Sequence, residues 1–135
     1  MITYLFHDGF EKEIANLEKR RLLHIRDSLK HFQNLCEFHF NPISPQPRIA
    51  PGKLHRVTQN DSWTMWKTEL PVINSNLRPN QYPRMWFAQS GEIIVFLCIS
   101  SHIDNYNDKK QDHLALERVT DFFFRRFCPN VGSIL

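Results

Sequence analysis

No run of about 18 apolar residues, the length a helix needs to cross a bilayer, occurs in this chain, so the sequence reads as soluble. Its first residues, Met1-Ile2-Thr3-Tyr4-Leu5-Phe6-His7-Asp8, offer neither a basic leader region nor an apolar one of adequate length. No secretory signal is expected, and the cytoplasm is the expected compartment. Cysteine is scarce: Cys36, Cys98 and Cys128 lie far apart, are odd in number and include no Cys-x-x-Cys pair. Neither a disulfide framework nor a zinc knuckle is expected, only reduced thiols, with Cys98 in the core. Also missing are a P-loop, a dinucleotide fingerprint and a Ser or Cys nucleophile motif, so phosphoryl transfer from nucleotides and acyl chemistry have no support. Internal repeats and low-complexity tracts are absent too.

What remains is an ordinary globular composition. The 135 residues are 41% apolar and 23% charged, enough for one domain with one core across residues 1–135 and too short for two. A net charge of +3 fits a polyanionic partner but also many proteins that never meet one.

The apolar pattern predicts an α+β order of elements. Ile2 to Phe6 is a short β-prone run ended by His7-Asp8-Gly9. Asp8 with Glu11 reads as a capping box, and Phe10, Ile14, Leu17, Ile25, Leu29, Phe32 and Cys36 follow at helical spacing, predicting a long helix or a helical hairpin. Glu11, Lys12, Glu18, Lys19, Arg20 and Arg21, lying among them, read as its solvated face. Asn41 to Gly52 holds Pro42, Pro45, Pro47 and Pro51, too many for regular structure, and is expected to be a loop within one domain. Lys53 to Thr58 and Ser62 to Leu70 read as a hairpin turning at Gln59-Asn60-Asp61. Pro83 to Gln89 alternates, with Arg84, Trp86 and Ala88 on one face and Met85 and Phe87 on the other. After Ser90-Gly91, the unbroken apolar run from Glu92 to Ile99 reads as a central strand covered on both faces. Asp108 with Gln111 makes a second capping box, opening a last helix that continues through Leu116, Val119, Phe123 and Phe127 until Cys128-Pro129 stops it.

The corner Ser100-Ser101-His102 at the end of the apolar strand is the strongest candidate for chemistry. Cleaving RNA by attack of its own 2′-hydroxyl needs a base for that proton, an acid for the departing 5′-oxygen and a cation for charge building on phosphorus. Histidine suits either proton role and arginine binds two phosphate oxygens at once. His102 and Arg84 form the leading pair. If the two strands pair about Ser90-Gly91, Arg84 falls opposite about Leu97 and His102 about one strand step beyond Arg84. Tyr106 can supply a hydroxyl or stack on a base, and His55, on the earlier hairpin, is a second candidate proton carrier. Lys67, Arg78, Lys109 and Lys110 are the candidate substrate-binding cations. His102, Asp104, Asp108 and His113 offer metal ligands within a short stretch, yet no HExxH, EF-hand or Cys/His zinc spacing is present. No metal or other cofactor is expected.

The same residues resemble a family. The order of a strand, a long helical segment, an antiparallel sheet with an Arg-bearing strand, an apolar strand ending in a polar corner and a C-terminal helix resembles the RelE/ParE superfamily of bacterial toxins. The likeness covers most of the chain and is sharpest in Arg84-Met85-Trp86-Phe87, in Ile93-Ile94-Val95-Phe96-Leu97-Cys98-Ile99-Ser100-Ser101-His102 and in the helix from Ala115 to Phe127. Its HigB-like and YafO-like branches look nearest. The resemblance implies a small α+β toxin domain, packed as a helical segment on a twisted antiparallel sheet, that cleaves messenger RNA on the ribosome without a metal and is neutralised by a cognate antitoxin. One departure stands out: several members carry lysines or arginines just after the apolar strand, whereas here His102, Asp104, Asn107 and Asp108 precede Lys109 and Lys110. Two other expectations stay open, a non-enzymatic superfamily member that inhibits a protein such as DNA gyrase, and an RNA-binding or interaction protein without catalysis.

Overall fold

Residues 2–20, 22–72, 75–101 and 107–127 are described by a computed structural model. His102, Asp104, Tyr106 and the expected Cys128-Pro129 helix stop lie outside the described residues. In chain order the elements are β1 (Thr3–Phe6), α1 (Asp8–Arg20), α2 (Ile25–His39), β2 (Leu54–Gln59), β3 (Thr64–Glu69), β4 (Arg84–Ser90), β5 (Ile93–Ser100) and α3 (Asp108–Phe127). The five strands form one sheet in the order β1-β5-β4-β3-β2.

The helical segment is a hairpin rather than one long helix. Its apolar stripe runs Phe10, Ile14, Leu17 and then skips to Leu22 and Ile25, all buried. The position that should continue the stripe after Leu17 is Arg20, so the α1 face runs out there and the chain reverses. Arg26 reaches back to Glu18 at 2.8 Å and Glu11 at 3.6 Å, an exposed clasp of small energetic weight.

Both expected capping boxes prove different. The α1 cap is His7: its backbone carbonyl accepts from Glu11 N–H (3.1 Å) and its Nδ1 from Gly9 N–H (3.0 Å). At α3 the cap is Asn107, whose Oδ1 accepts from Lys110 N–H (3.0 Å). Asx side chains favour that role, and Asp108 is left to work elsewhere.

The sheet is mixed, which corrects the expectation of an antiparallel one. β1 pairs in parallel with β5, Thr3 beside Ile93 through Phe6 beside Phe96, while β5-β4-β3-β2 pair antiparallel. The helical hairpin and three strands separate β1 from β5 in the chain, so the two are free to join in parallel, whereas neighbours joined by tight turns are not.

Two cores flank the sheet. Phe10, Ile14, Ile25, Leu29 and Phe32 of the hairpin pack on Met85, Phe87, Ile94 and Phe96. Phe96 sits at the centre, within 5.3–6.3 Å, centroid to centroid, of the rings of Tyr4, Phe6, Phe10, Phe32 and Phe87. On the other side Ala115, Val119 and Phe123 of α3 cover Met65, Trp86, Ala88, Val95, Leu97 and Cys98. The alternation expected along Arg84 to Gln89 is therefore observed, with Trp86 and Ala88 toward α3 and Met85 and Phe87 toward the hairpin.

The β4–β5 turn differs in detail. Ser90 pairs with Ile93 across Gly91-Glu92, and Gly91 takes φ 58°, a conformation glycine adopts without a Cβ penalty. Farther along, Phe87 faces Phe96 but Trp86 faces Cys98. One extra residue is thus accommodated in β5, and both Leu97 and Cys98 join the α3-side core. Turn and bulge together move Arg84 opposite Ser100 rather than Leu97. The loop after α2 is anchored by side chains: Asn41 Oδ1 accepts from Ile43 and Ser44 N–H (2.9 and 3.0 Å), and His39 Nδ1 from Arg48 and Ile49 N–H (3.2 and 3.3 Å).

Candidate active site

Residues directly opposite each other in an antiparallel ladder share a face. Since Trp86 faces α3, its partners across the sheet do as well. One row on that face runs His55, Lys67, Trp86, Cys98, and the next runs Glu69, Arg84, Ser100. The register thus brings His55, Lys67 and Arg84, three expected site residues from three strands, to one surface.

The first turns of α3 cross the ends of these rows. Asp108 bridges the two cations: its Oδ2 accepts from Lys67 Nζ at 2.6 Å and its Oδ1 from Arg84 Nη1 at 3.0 Å. One turn later Asp112 Oδ1 accepts from Trp86 Nε1 at 2.8 Å and lies 3.4 Å from Lys67 Nζ. Glu69, paired with Arg84 in the sheet, lies 3.6 Å from its Nη2. Lys67 and Arg84 retain 19% and 26% of their side-chain exposure and Asp108 retains 40%, so the pair is shielded from below and open toward solvent at the carboxylate. Burial pushes the Asp108 carboxyl upward, but the hydrogen bonds and charges of Lys67 and Arg84 outweigh it, and its pKa lies below the ordinary carboxylate value.

The remaining candidates surround this centre at different distances. His55 is exposed at the outer end of its row on the edge strand and takes no part in the charge network of the described residues. Arg78 is exposed at the head of the turn Pro79–Gln81, its N–H donating to Gln81 Oε1 at 3.0 Å. Lys109 and Lys110 are exposed on the first turn of α3 beside Asp108. His102 and Tyr106 lie outside the described residues; Ser101, which precedes His102 in the chain, is buried. Cys98 is buried under α3 with its thiol pushed well up by burial, the opposite of what a nucleophile needs. No three His, Cys, Asp or Glu side chains among the described residues group closely enough to hold a metal ion.

Asp112 and Glu69 were not foreseen as site residues, and Asp108 was foreseen only as a cap and a possible ligand. The one signal in the sequence is the spacing of Asp108 and Asp112, four apart on a helix and hence on one face; nothing local tells that the face meets Lys67 and Arg84, and Glu69 carries no such signal.

No family model matches this chain, and neither does any curated protein or solved structure. No helix of the described residues is long and apolar enough to cross a membrane.

Proposed function

We propose that the chain is a RelE/ParE-like toxin of a type II toxin–antitoxin pair, a cytoplasmic endoribonuclease that cleaves messenger RNA on the ribosome without a metal. The observation that carries the proposal is the Lys67–Arg84 pair. Two cations on neighbouring strands each grip one oxygen of the same carboxylate, an arrangement that two non-bridging oxygens of an RNA phosphate would satisfy equally well. Arg84 pairs with Ser100, and His102, the proposed proton carrier, follows Ser100 by two residues in the sequence. The element order, with a helical hairpin on one face and a C-terminal helix on the other, supports the same family reading.

In this reading the phosphate displaces Asp108 from Lys67 and Arg84. His102 takes the 2′-hydroxyl proton or delivers one to the 5′-oxygen, and the two cations stabilise the charge gathering on the phosphoryl oxygens. Tyr106 stacks on a base or lends its hydroxyl. His55, at the exposed end of the same row, is the second proton carrier. Arg78, Lys109 and Lys110 hold flanking phosphates. A cognate antitoxin silences the domain until it is removed.

The paired state of both cations also favours a second reading. A non-enzymatic member of the superfamily that inhibits a protein such as DNA gyrase would need no vacant cation pair, and there Asp108 would serve stability alone. Expression in bacteria with and without the neighbouring gene product separates the two. New messenger RNA 5′ ends appearing only without the neighbour are expected; unchanged ends with perturbed supercoiling would overturn the nuclease reading in favour of the second.

A further inference from the structure

β1 is shorter than the strand it accompanies. Its ladder with β5 closes with His7 N–H donating to Phe96 O at 2.9 Å, and β5 continues to Ser100 with no strand on that side among the described residues. Two backbone groups beyond this point nevertheless have partners. Leu97 O accepts from Arg118 Nη1 at 2.7 Å, and Ile99 N–H donates to Glu13 Oε1 at 3.1 Å. Arg118 and Glu13 also grip each other, Nη1 to Oε1 and Nη2 to Oε2, both at 2.9 Å.

One side chain comes from α1 and the other from α3, and together they present a donor and an acceptor to the strand as a neighbouring backbone would. The guanidinium passes directly over Gly9, where a Cβ would collide with it. Both partners are largely covered, at 16% and 28% side-chain exposure. The stretch they hold, Leu97 to Ile99, contains the bulge and leads directly to Ser100, the partner of Arg84.

We propose that Glu13 and Arg118 are positioning residues for the cleavage site: they replace the missing length of β1 and fix the end of β5 that lies against Arg84. This rests on the nuclease reading above, but its structural half can be tested apart from it. An ordinary ion pair survives exchange of its members; a substitute strand does not. With Glu13→Arg and Arg118→Glu combined, opposite charges still face each other, yet a donor now meets Ile99 N–H and an acceptor meets Leu97 O.

The experiment is single-turnover cleavage of ribosome-bound messenger RNA together with amide hydrogen exchange, on the full-length wild type, Glu13→Ala, Arg118→Lys and the exchanged double variant. Cleavage is expected to fall by about 100-fold in the double variant, the scale of an ångström-sized misplacement, and only partly in Arg118→Lys, while binding of a non-cleavable 2′-deoxy oligonucleotide is unchanged. Exchange at Ile99 is expected to accelerate by about tenfold or more in Glu13→Ala and in the double variant, with Phe96 unaffected. Wild-type cleavage by the double variant, or unaltered protection at Ile99, would overturn the proposal. If the wild type cleaves no RNA, the nuclease reading falls and Ile99 exchange alone decides: acceleration upholds the substitute strand, and no change removes it.

Discussion

Asp108→Asn keeps the shape of the side chain that bridges Lys67 and Arg84 and removes its charge. At an effective dielectric of about 20, unit charges about 4 Å apart attract by about 4 kcal/mol. Asp108 retains 40% of its exposure, and measured exposed pairs yield only about 0–1 kcal/mol each once solvent screening and side-chain ordering are counted. Two such pairs, with better-covered cations, put the loss at about 1–2 kcal/mol. In a domain of this length that is about 3–8 °C in Tm at neutral pH.

The loss has a pH signature. A carboxyl whose folded-state pKa lies below its unfolded value of 3.8 stabilises the fold above that value, and its contribution disappears as pH falls through the lower folded value. The Tm gap between wild type and variant is therefore full at pH 7 and closes below about pH 4. On the proposed nuclease reading Asp108 also competes with phosphate for the same cations, so the variant should bind a 2′-deoxy oligonucleotide about 5–30-fold more tightly at fixed salt, the factor equivalent to the stability lost. Thermal melts across pH and fluorescence anisotropy read the two effects. A Tm gap that persists unchanged at pH 3, or weaker oligonucleotide binding, would refute the reasoning.

Three other outcomes follow from named contacts. Gly9→Ala in a helix should stabilise by up to about 1 kcal/mol, but here the new methyl displaces the pinned Arg118 guanidinium; chemical denaturation should show a net loss in the wild-type background and a gain once Arg118 is also alanine. Phe96→Ala empties the centre of the aromatic cluster and should cost about 3–5 kcal/mol in urea unfolding; a loss below about 1 kcal/mol would contradict the packing. Burial lowers the His39 pKa from 6.5, so its stabilising effect is present above that value and lost as pH falls through the lower folded one. Protonation removes the acceptor for Arg48 and Ile49 N–H, and the protection factors of those two amides, taken relative to the intrinsic exchange rate at each pH, should fall as pH drops through the lowered folded pKa. His39→Phe should abolish that pH dependence.

The parts legible in the sequence are those with a local period. Alternation along Arg84 to Gln89 assigns faces correctly because the strand pleat repeats every two residues. Continuous runs carry no such mark. Within Ile93-Ile94-Val95-Phe96-Leu97-Cys98-Ile99 every residue is apolar, so nothing shows that Leu97 and Cys98 share a face, and that hidden bulge helps to carry Arg84 from Leu97 to Ser100. The parallel docking of β1 was equally out of reach, since it is chosen by packing across some ninety residues of chain. The site divides along the same line. Lys67 and Arg84 stand out as candidates by residue type, while their carboxylate partner Asp108 looks like a cap because its spacing to Gln111 imitates one. Nothing in the sequence singles out Glu13 or Arg118, and only the short length of β1 gives them backbone to hold.

The most direct test of the central claim is the chemistry of the cut ends. Purified wild-type protein added to translating ribosomes is predicted to leave a 2′,3′-cyclic phosphate and a 5′-hydroxyl, and a single 2′-deoxynucleotide on the 5′ side of the scissile phosphate should abolish the cut. Products bearing a 5′-phosphate, cleavage that survives the 2′-deoxy substitution, or an intact message would contradict it.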